Sequence, residues 1–340
     1  MNIYLLILSV LVFIGLKKNN ERELCLAKEY TDAIKGIFIL IVFYSHILPY
    51  LTSSGVVFSP IWDYPSNRLI HRIGQLMVVM FLFYSGYGVM ESIRNKGDVY
   101  VKAIPIKRVL STLANYAIAV TVYLVMNKLL GINYSFKQYI LSLVAWESIG
   151  QSNWYIFAIL FCYISTYISF SVFRKVRSAF YANCLLILLY IVVLYQFKEE
   201  WWYNTIPAYA AGMFVSINRD KILSLLNRLY PVCLIVLILA FILCFHFRSM
   251  TIIYLVLSIV FALLMLTITY RYVIKSHVLG WCGKNLFQLY IYQRLPMVAL
   301  STLFPQIVRL HTYLYVFACL AITLLIAATV KPFSIKANKK

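Results

Sequence analysis

Apolar residues in this chain come in long blocks rather than in alternation. Runs of about 15 to 22 residues recur as far as residue 330, separated by short polar segments rich in lysine and arginine. Blocks of that length suit helices rising 1.5 Å per residue through a hydrocarbon layer about 30 Å thick. The pattern predicts helices over residues 3–16, 33–51, 73–91, 109–130, 153–173, 181–197, 203–217, 231–247, 251–271, 286–304 and 311–330. The expected fold class is all-α: a polytopic integral membrane helical bundle of about ten core transmembrane helices plus one short extra N-terminal apolar segment. The chain then divides into that segment with its loop over residues 1–27, a membrane domain over 28–332, and a basic tail over 333–340. The first segment lacks a basic start and a small-residue cleavage site, so a removable leader is not expected.

Composition sharpens this picture. Hydrophobic residues make up 63% and charged residues 12% of the 340 residues, which excludes an ordinary soluble domain. The formal net charge of +20 would suit a nucleic-acid binder, but the basic residues sit in short loops between apolar blocks. Alternate loops hold 22 and 6 of the 31 lysines and arginines, and Lys35, Lys128 and Arg294 fall inside helices. The positive-inside rule puts the richer set in the cytoplasm, so the expected location is a bacterial plasma membrane with the C-terminus inside. Nucleic acid is not expected as a partner. The seven cysteines lie mostly within apolar blocks without metal spacing, and read as small buried hydrophobes. No metal site is expected.

The candidate chemistry begins in the second apolar block, Asp32-Ala33-Ile34-Lys35-Gly36 followed by Tyr44-Ser45-His46. Eleven helical steps return to within about 20° of the starting direction, so Lys35 and His46 share one face roughly 16 Å apart. Ionisable groups inside a bilayer are costly and mark a functional interior by default, and histidine exchanges protons near neutral pH. Against that, Asp32 and Lys35 also fit an i,i+3 surface pair with the lysine snorkelling to the interface. Downstream, Ser85 lies in Phe81-Leu82-Phe83-Tyr84-Ser85-Gly86-Tyr87-Gly88, whose small residues allow close helix approach, and Glu91 ends that block. Lys107 and Arg108 precede the next block, either as plain loop charge or as a dock for an anionic cytosolic molecule. Asn153, Trp154 and Tyr155 open a helix at the outer face, either as an aromatic belt or as a binder of hydroxyl-rich ligands. Arg294, eight residues into its block, must face the bundle interior, water or a partner.

Together these segments resemble the membrane acyltransferase 3 family, whose members O-acylate polysaccharides, lipopolysaccharide, peptidoglycan and small molecules. The resemblance covers residues 28–330 and rests on the order and spacing of short motifs. They are Asp32-Ala33-Ile34-Lys35-Gly36 with Ser45-His46, the Phe81–Tyr87 run, Lys107-Arg108, Asn153-Trp154-Tyr155, Pro207-Tyr209-Gly212 and Gly283-Lys284-Asn285 with Tyr290. It implies acyl transfer from acetyl-CoA to a hydroxyl, with no permanently bound cofactor. Many relatives carry arginine where this chain has Lys35, and a histidine where Gln293 or a neighbour stands. On this basis His46 acts as general base on the acceptor hydroxyl or takes the acyl group transiently, and Lys35 and Asp32 anchor the pantetheine end or polarise the thioester. Lys107 and Arg108, with Glu91 and Ser85 nearby, serve the donor; Arg294 stabilises the oxyanion; Asn153, Trp154 and Tyr155 serve the acceptor. The expected partners are acetyl-CoA, membrane lipid, and a cell-surface glycan or its lipid-linked precursor. The rival reading is a glycan transporter or flippase without bond-making, against which no inverted repeat is found.

Overall fold

A computed structural model describes residues 2–61 and 63–333. The expected basic tail beyond residue 333 lies outside the described residues. The chain opens with helix α1 (Asn2–Gly15) and a short strand β1 (Leu16–Lys18), then α2 (Lys28–Ser53) and α3 (Asp63–Lys96). Next come α4 (Asp98–Ile104) and α5 (Ser111–Leu129), joined by a π-helical turn over Pro105–Leu110. Pro105 has no N–H to give the ladder, which accounts for the widened turn. Helices α6 (Phe136–Leu143), α7 (Trp154–Val172), α8 (Val176–Leu194) and α9 (Pro207–Ile217) follow. Then come α10 (Arg219–His246), kinked at Leu229 just before Pro231, α11 (Thr251–Arg271) and strand β2 (Tyr272–Ile274). The chain ends in four short helices and a long one: α12 (His277–Lys284), α13 (Leu286–Tyr292), α14 (Arg294–Leu303), α15 (Pro305–Leu310) and α16 (Thr312–Thr329).

The protein is thus an all-α polytopic bundle. Among the described residues, eight helices are long and apolar enough to cross a membrane, taking α4 to α5 as one continuous rod. Two expected crossings are not single long helices. The block at 203–217 is helical only from Pro207, whose ring suits the first helical position. Ahead of it Tyr203, Asn204, Thr205 and Ile206 run as buried irregular chain, and the Gln75 amide donates to Asn204 Oδ1. The block at 286–304 is broken at Gln293, because Pro296 cannot return a hydrogen bond to the Tyr292 carbonyl. Arg294 consequently starts a new short helix rather than sitting eight residues inside one.

In a lipid-like surround, apolar surface alone does not pull helices together; close packing at small residues does. Two reciprocal glycine pairs show it here. A methyl group on Gly36 of α2 would overlap the Leu279 carbonyl of α12, and one on Gly283 of α12 would overlap the Asp32 carbonyl of α2. In the same way Gly86 of α3 faces the Tyr209 carbonyl of α9, and Gly212 of α9 faces the Phe83 carbonyl of α3. Each pair brings two backbones into contact and fixes both rotation and depth. The antiparallel pairing of Leu16 with Ile274, Lys17 with Val273 and Lys18 with Tyr272 ties α1 to the start of α12 at the basic end of the bundle.

Candidate active site

A cavity of ≈ 800 Å³ opens at the basic end of the bundle, between α2, α3, α5, α7 and the α12–α13 junction. Four cations line it: Lys28 and Lys35 from α2, Arg108 from the π-turn, and Lys284 from the end of α12. No aspartate or glutamate is among its lining residues. Like charges converging on one concavity raise its positive potential and favour an anion; Lys35 shares its charge with Asp32, so Lys28, Arg108 and Lys284 carry most of that potential.

Lys35 is the most deeply set of the four, because the Gly36 and Gly283 contact holds α12 directly against its turn of α2. Its ammonium lies 2.6 Å from Asp32 Oδ1, and Asp32 is fully buried. The pair is therefore an internal one, not the surface pair allowed by spacing alone. Asp32 Oδ2 has no hydrogen-bond partner, so the lysine is the compensation for that carboxylate among the described residues. Ser85 Oγ and Tyr163 OH are 3.0 Å apart on the opposite wall. Arg108 donates through Nε to Tyr100 OH at 3.1 Å and lies 6.0 Å from the Tyr163 ring centroid, which holds the guanidinium in place.

The mouth is edged by the segment following α16. Asn115 of α5 donates to the Phe333 carbonyl and accepts from the Phe333 N–H, both at 2.7 Å, and Ser111 Oγ donates to the same carbonyl at 3.1 Å. The deep end of the cavity is formed by Phe81, Tyr155 and Gln288. Behind Tyr155 stands Tyr290, its ring centroid 5.1 Å away, and behind Tyr290 the imidazole of His46 at 6.3 Å. The unbroken α2 keeps Lys35 and His46 eleven residues and roughly 16 Å apart on one face. Lys35 lines the cavity; His46 does not. His46 Nδ1, Gln293 Oε1 and Arg294 Nε are buried without hydrogen-bond partners, and the Arg294 guanidinium acts electrostatically on the imidazole. Buried polar atoms are nearly always paired in folded chains, and a cluster left unpaired in one place marks a site shaped for something else.

Residues 28–330 match the family model described as "Acyltransferase domain". The chain belongs to the membrane acyltransferase 3 family. Comparisons with curated proteins and with solved structures each return no match. In this acyltransferase the matched region covers the cavity except for Leu26, Pro332 and Phe333, and leaves α1 outside.

The other residues singled out from sequence fall in different surroundings. Glu91 does not line the cavity: its Oε1 accepts from Arg94 at 3.0 Å and from Ser216 at 2.7 Å, which links α3 to α9. Lys107 is exposed and not among the lining residues, since the π-turn directs only Arg108 inward. Asn153 and Tyr155 are buried rather than on an outer surface. The Asn153 amide donates to the carbonyl of Ala145, a residue held at φ 63°, and so braces the loop before α7. Trp154 packs edge-on against Tyr155, whose ring closes the cavity floor. Lys28, Tyr163, Gln288 and the Asn115–Phe333 clasp were not anticipated as site residues. Lys284 and Tyr290 stood in quoted motifs, but nothing in their local sequence distinguished a site role from packing.

Proposed function

We propose that this acyltransferase moves an acetyl group from cytosolic acetyl-CoA to a hydroxyl of a cell-surface glycan or its lipid-linked precursor. The observation that carries the donor side is the acid-free cavity with four cations at the basic end. Coenzyme A is a polyanion, and arginine and lysine at a rim are the groups that hold phosphates. Arg108, Lys28 and Lys284 serve the phosphates, and Lys35 stands deeper, toward the thioester. The basic end is cytoplasmic under the positive-inside rule, which supplies the donor from that side.

The acceptor approaches from the opposite side, toward His46. The imidazole takes the proton of the acceptor hydroxyl as its oxygen attacks the thioester carbonyl; the carbon–sulfur bond breaks and the thiolate leaves with that proton. Arg294, beside His46, stabilises the oxyanion of the tetrahedral intermediate. Tyr155 and Tyr290 stand between donor cavity and imidazole, so they move aside when the thioester arm enters. Their rings, packed edge to face, separate the two compartments until then.

Inside-out and right-side-out vesicles incubated with [acetyl-14C]acetyl-CoA test this reading. Label is expected in glycan with the wild-type chain, and a His46→Ala variant at normal protein level is expected to lose at least about 100-fold of it. Full transfer by that variant overturns the role of His46, and glycan movement without label overturns acyl transfer altogether.

A further inference from the structure

A second cavity also borders α12. It is a groove of ≈ 570 Å³ between α1, α2, α12 and α16, and its walls are side chains such as Ile7, Leu11, Leu40, Leu320 and Leu324. The one hydroxyl on its wall, Tyr4 OH, is spent on the Leu40 carbonyl at 2.8 Å. Along α16 the groove runs from Phe317 to Ala328, eleven residues or roughly 16 Å. That is about half of a hydrocarbon core about 30 Å thick, the depth of one leaflet. An apolar slot at that depth takes hydrocarbon, because no water is there to fill it.

The groove does not end blindly. At the basic end it shares His277 and Trp281 with a polar recess of ≈ 600 Å³ that also holds Lys275 and Lys284. Glu29 is the one acid lining that recess. Lys17 and Lys18 are exposed on β1, paired to the strand that leads into Lys275. An apolar slot one leaflet deep, capped by a tryptophan and a surplus of cations, matches an acyl chain joined to an anionic headgroup. One wall of the slot, α1, lies outside the matched family region.

We infer that α1 and α16 clamp one acyl chain of an anionic phospholipid of the basic-side leaflet, whose phosphate sits between Lys275 and His277. The lipid then rests against α12, the helix whose Gly283 presses on Asp32 and whose Lys284 reaches the donor cavity. Lipid occupancy therefore steadies the wall on which Lys35 and Lys284 are arranged.

Native mass spectrometry of the full chain in detergent, titrated with phosphatidylglycerol or phosphatidylcholine of equal chain length, tests this. The wild type is expected to hold one phosphatidylglycerol per chain at least fivefold more tightly than phosphatidylcholine. Lys275→Gln is expected to erode that preference by about fivefold (about 1 kcal/mol), and the apolar slot stays open. Ala328→Trp, which fills the slot at an exposed position of α16, is expected to lose both lipids. Ile7→Trp does the same from the α1 side, so the test survives a folding defect in either variant. Free glycerol 3-phosphate at millimolar concentration is expected not to displace the lipid. Equal affinity for the two lipids, unchanged binding in both slot-filled variants, or displacement by free glycerol phosphate overturns the proposal.

Discussion

Replacing Lys35 by methionine removes the cation beside a carboxylate that is wholly buried. Asp32 Oδ1 lies 2.6 Å from the lysine ammonium, the Asp32 side chain is 1% exposed, and Oδ2 has no hydrogen-bond partner. Breaking a buried ion pair by deleting one partner costs about 3–5 kcal/mol, far more than the near-zero value of a surface pair. Unfolding entropy of about 2.1 cal/mol/K per residue, over 340 residues, makes about 4 kcal/mol equivalent to a fall in Tm of about 5–6 °C. Tryptophan fluorescence of the purified chain in detergent reads this directly, since the six tryptophans report on the bundle. Removing both charges, Asp32→Asn with Lys35→Met, is expected to restore most of the loss, because no uncompensated charge remains. Transfer tells the other half of the story. If Lys35 also holds the donor, the restored double variant stays at least about tenfold below wild type in kcat/KM for acetyl-CoA, the loss of one charged hydrogen bond. A Lys35→Met protein that melts within about 1 °C of wild type refutes the reasoning, since about 3 kcal/mol is the least the pair should cost.

Gly212→Ala and Gly283→Ala drive a methyl group into the carbonyls of Phe83 and Asp32, so each is expected to lower Tm or abolish folded protein, whereas Gly88→Ala, with open space around it, is expected to melt at or above wild type. Asn115→Leu breaks the two-way amide clasp on Phe333 and is expected to speed maleimide labelling of a Ser92→Cys reporter in the donor cavity; an unchanged rate rules out the clasp as part of the mouth. Burial pushes the Cys25 thiol up to about 11, so at pH 7.5 its thiolate is scarce and maleimide is expected to miss it until the chain unfolds; the thiolate fraction, and labelling with it, rises as pH approaches that value. Rapid native labelling of Cys25 at pH 7.5 contradicts the burial.

Much of the site was legible in sequence because some relations are local. Helical rise and twist alone put Lys35 and His46 on one face of α2, and the unbroken Lys28–Ser53 helix preserves that relation. Arg294 was marked by its cost inside an apolar block, and it does stand next to His46. Its place at the start of a short helix was not legible, because Pro296 divides a block that hydropathy alone leaves whole. Glu91 and Asn153 look like binding residues from type and spacing. The Glu91–Arg94 bond is a local i,i+3 pair, but the bonds from Ser216 to Glu91 and from Asn153 to Ala145 join segments that no helical spacing connects.

By itself the sequence determined the class of solvent, the number and rough limits of the apolar blocks, the basic and the opposite end, and the spacing of groups within a helix. Each of these depends on composition or on a rise and period fixed within one segment. Only the tertiary structure decided that Lys28, Lys35, Arg108 and Lys284 meet in one acid-free cavity, that Tyr155 and Tyr290 stand between it and His46, and that α1 completes a slot against α16. The physical reason lies in the bilayer. Lipid is as apolar as a protein core, so a membrane helix need not carry the polar stripe that tells inside from outside in water. Which faces meet is then left to close backbone approach at glycines such as Gly36, Gly86, Gly212 and Gly283, and that choice shows only when both helices are present.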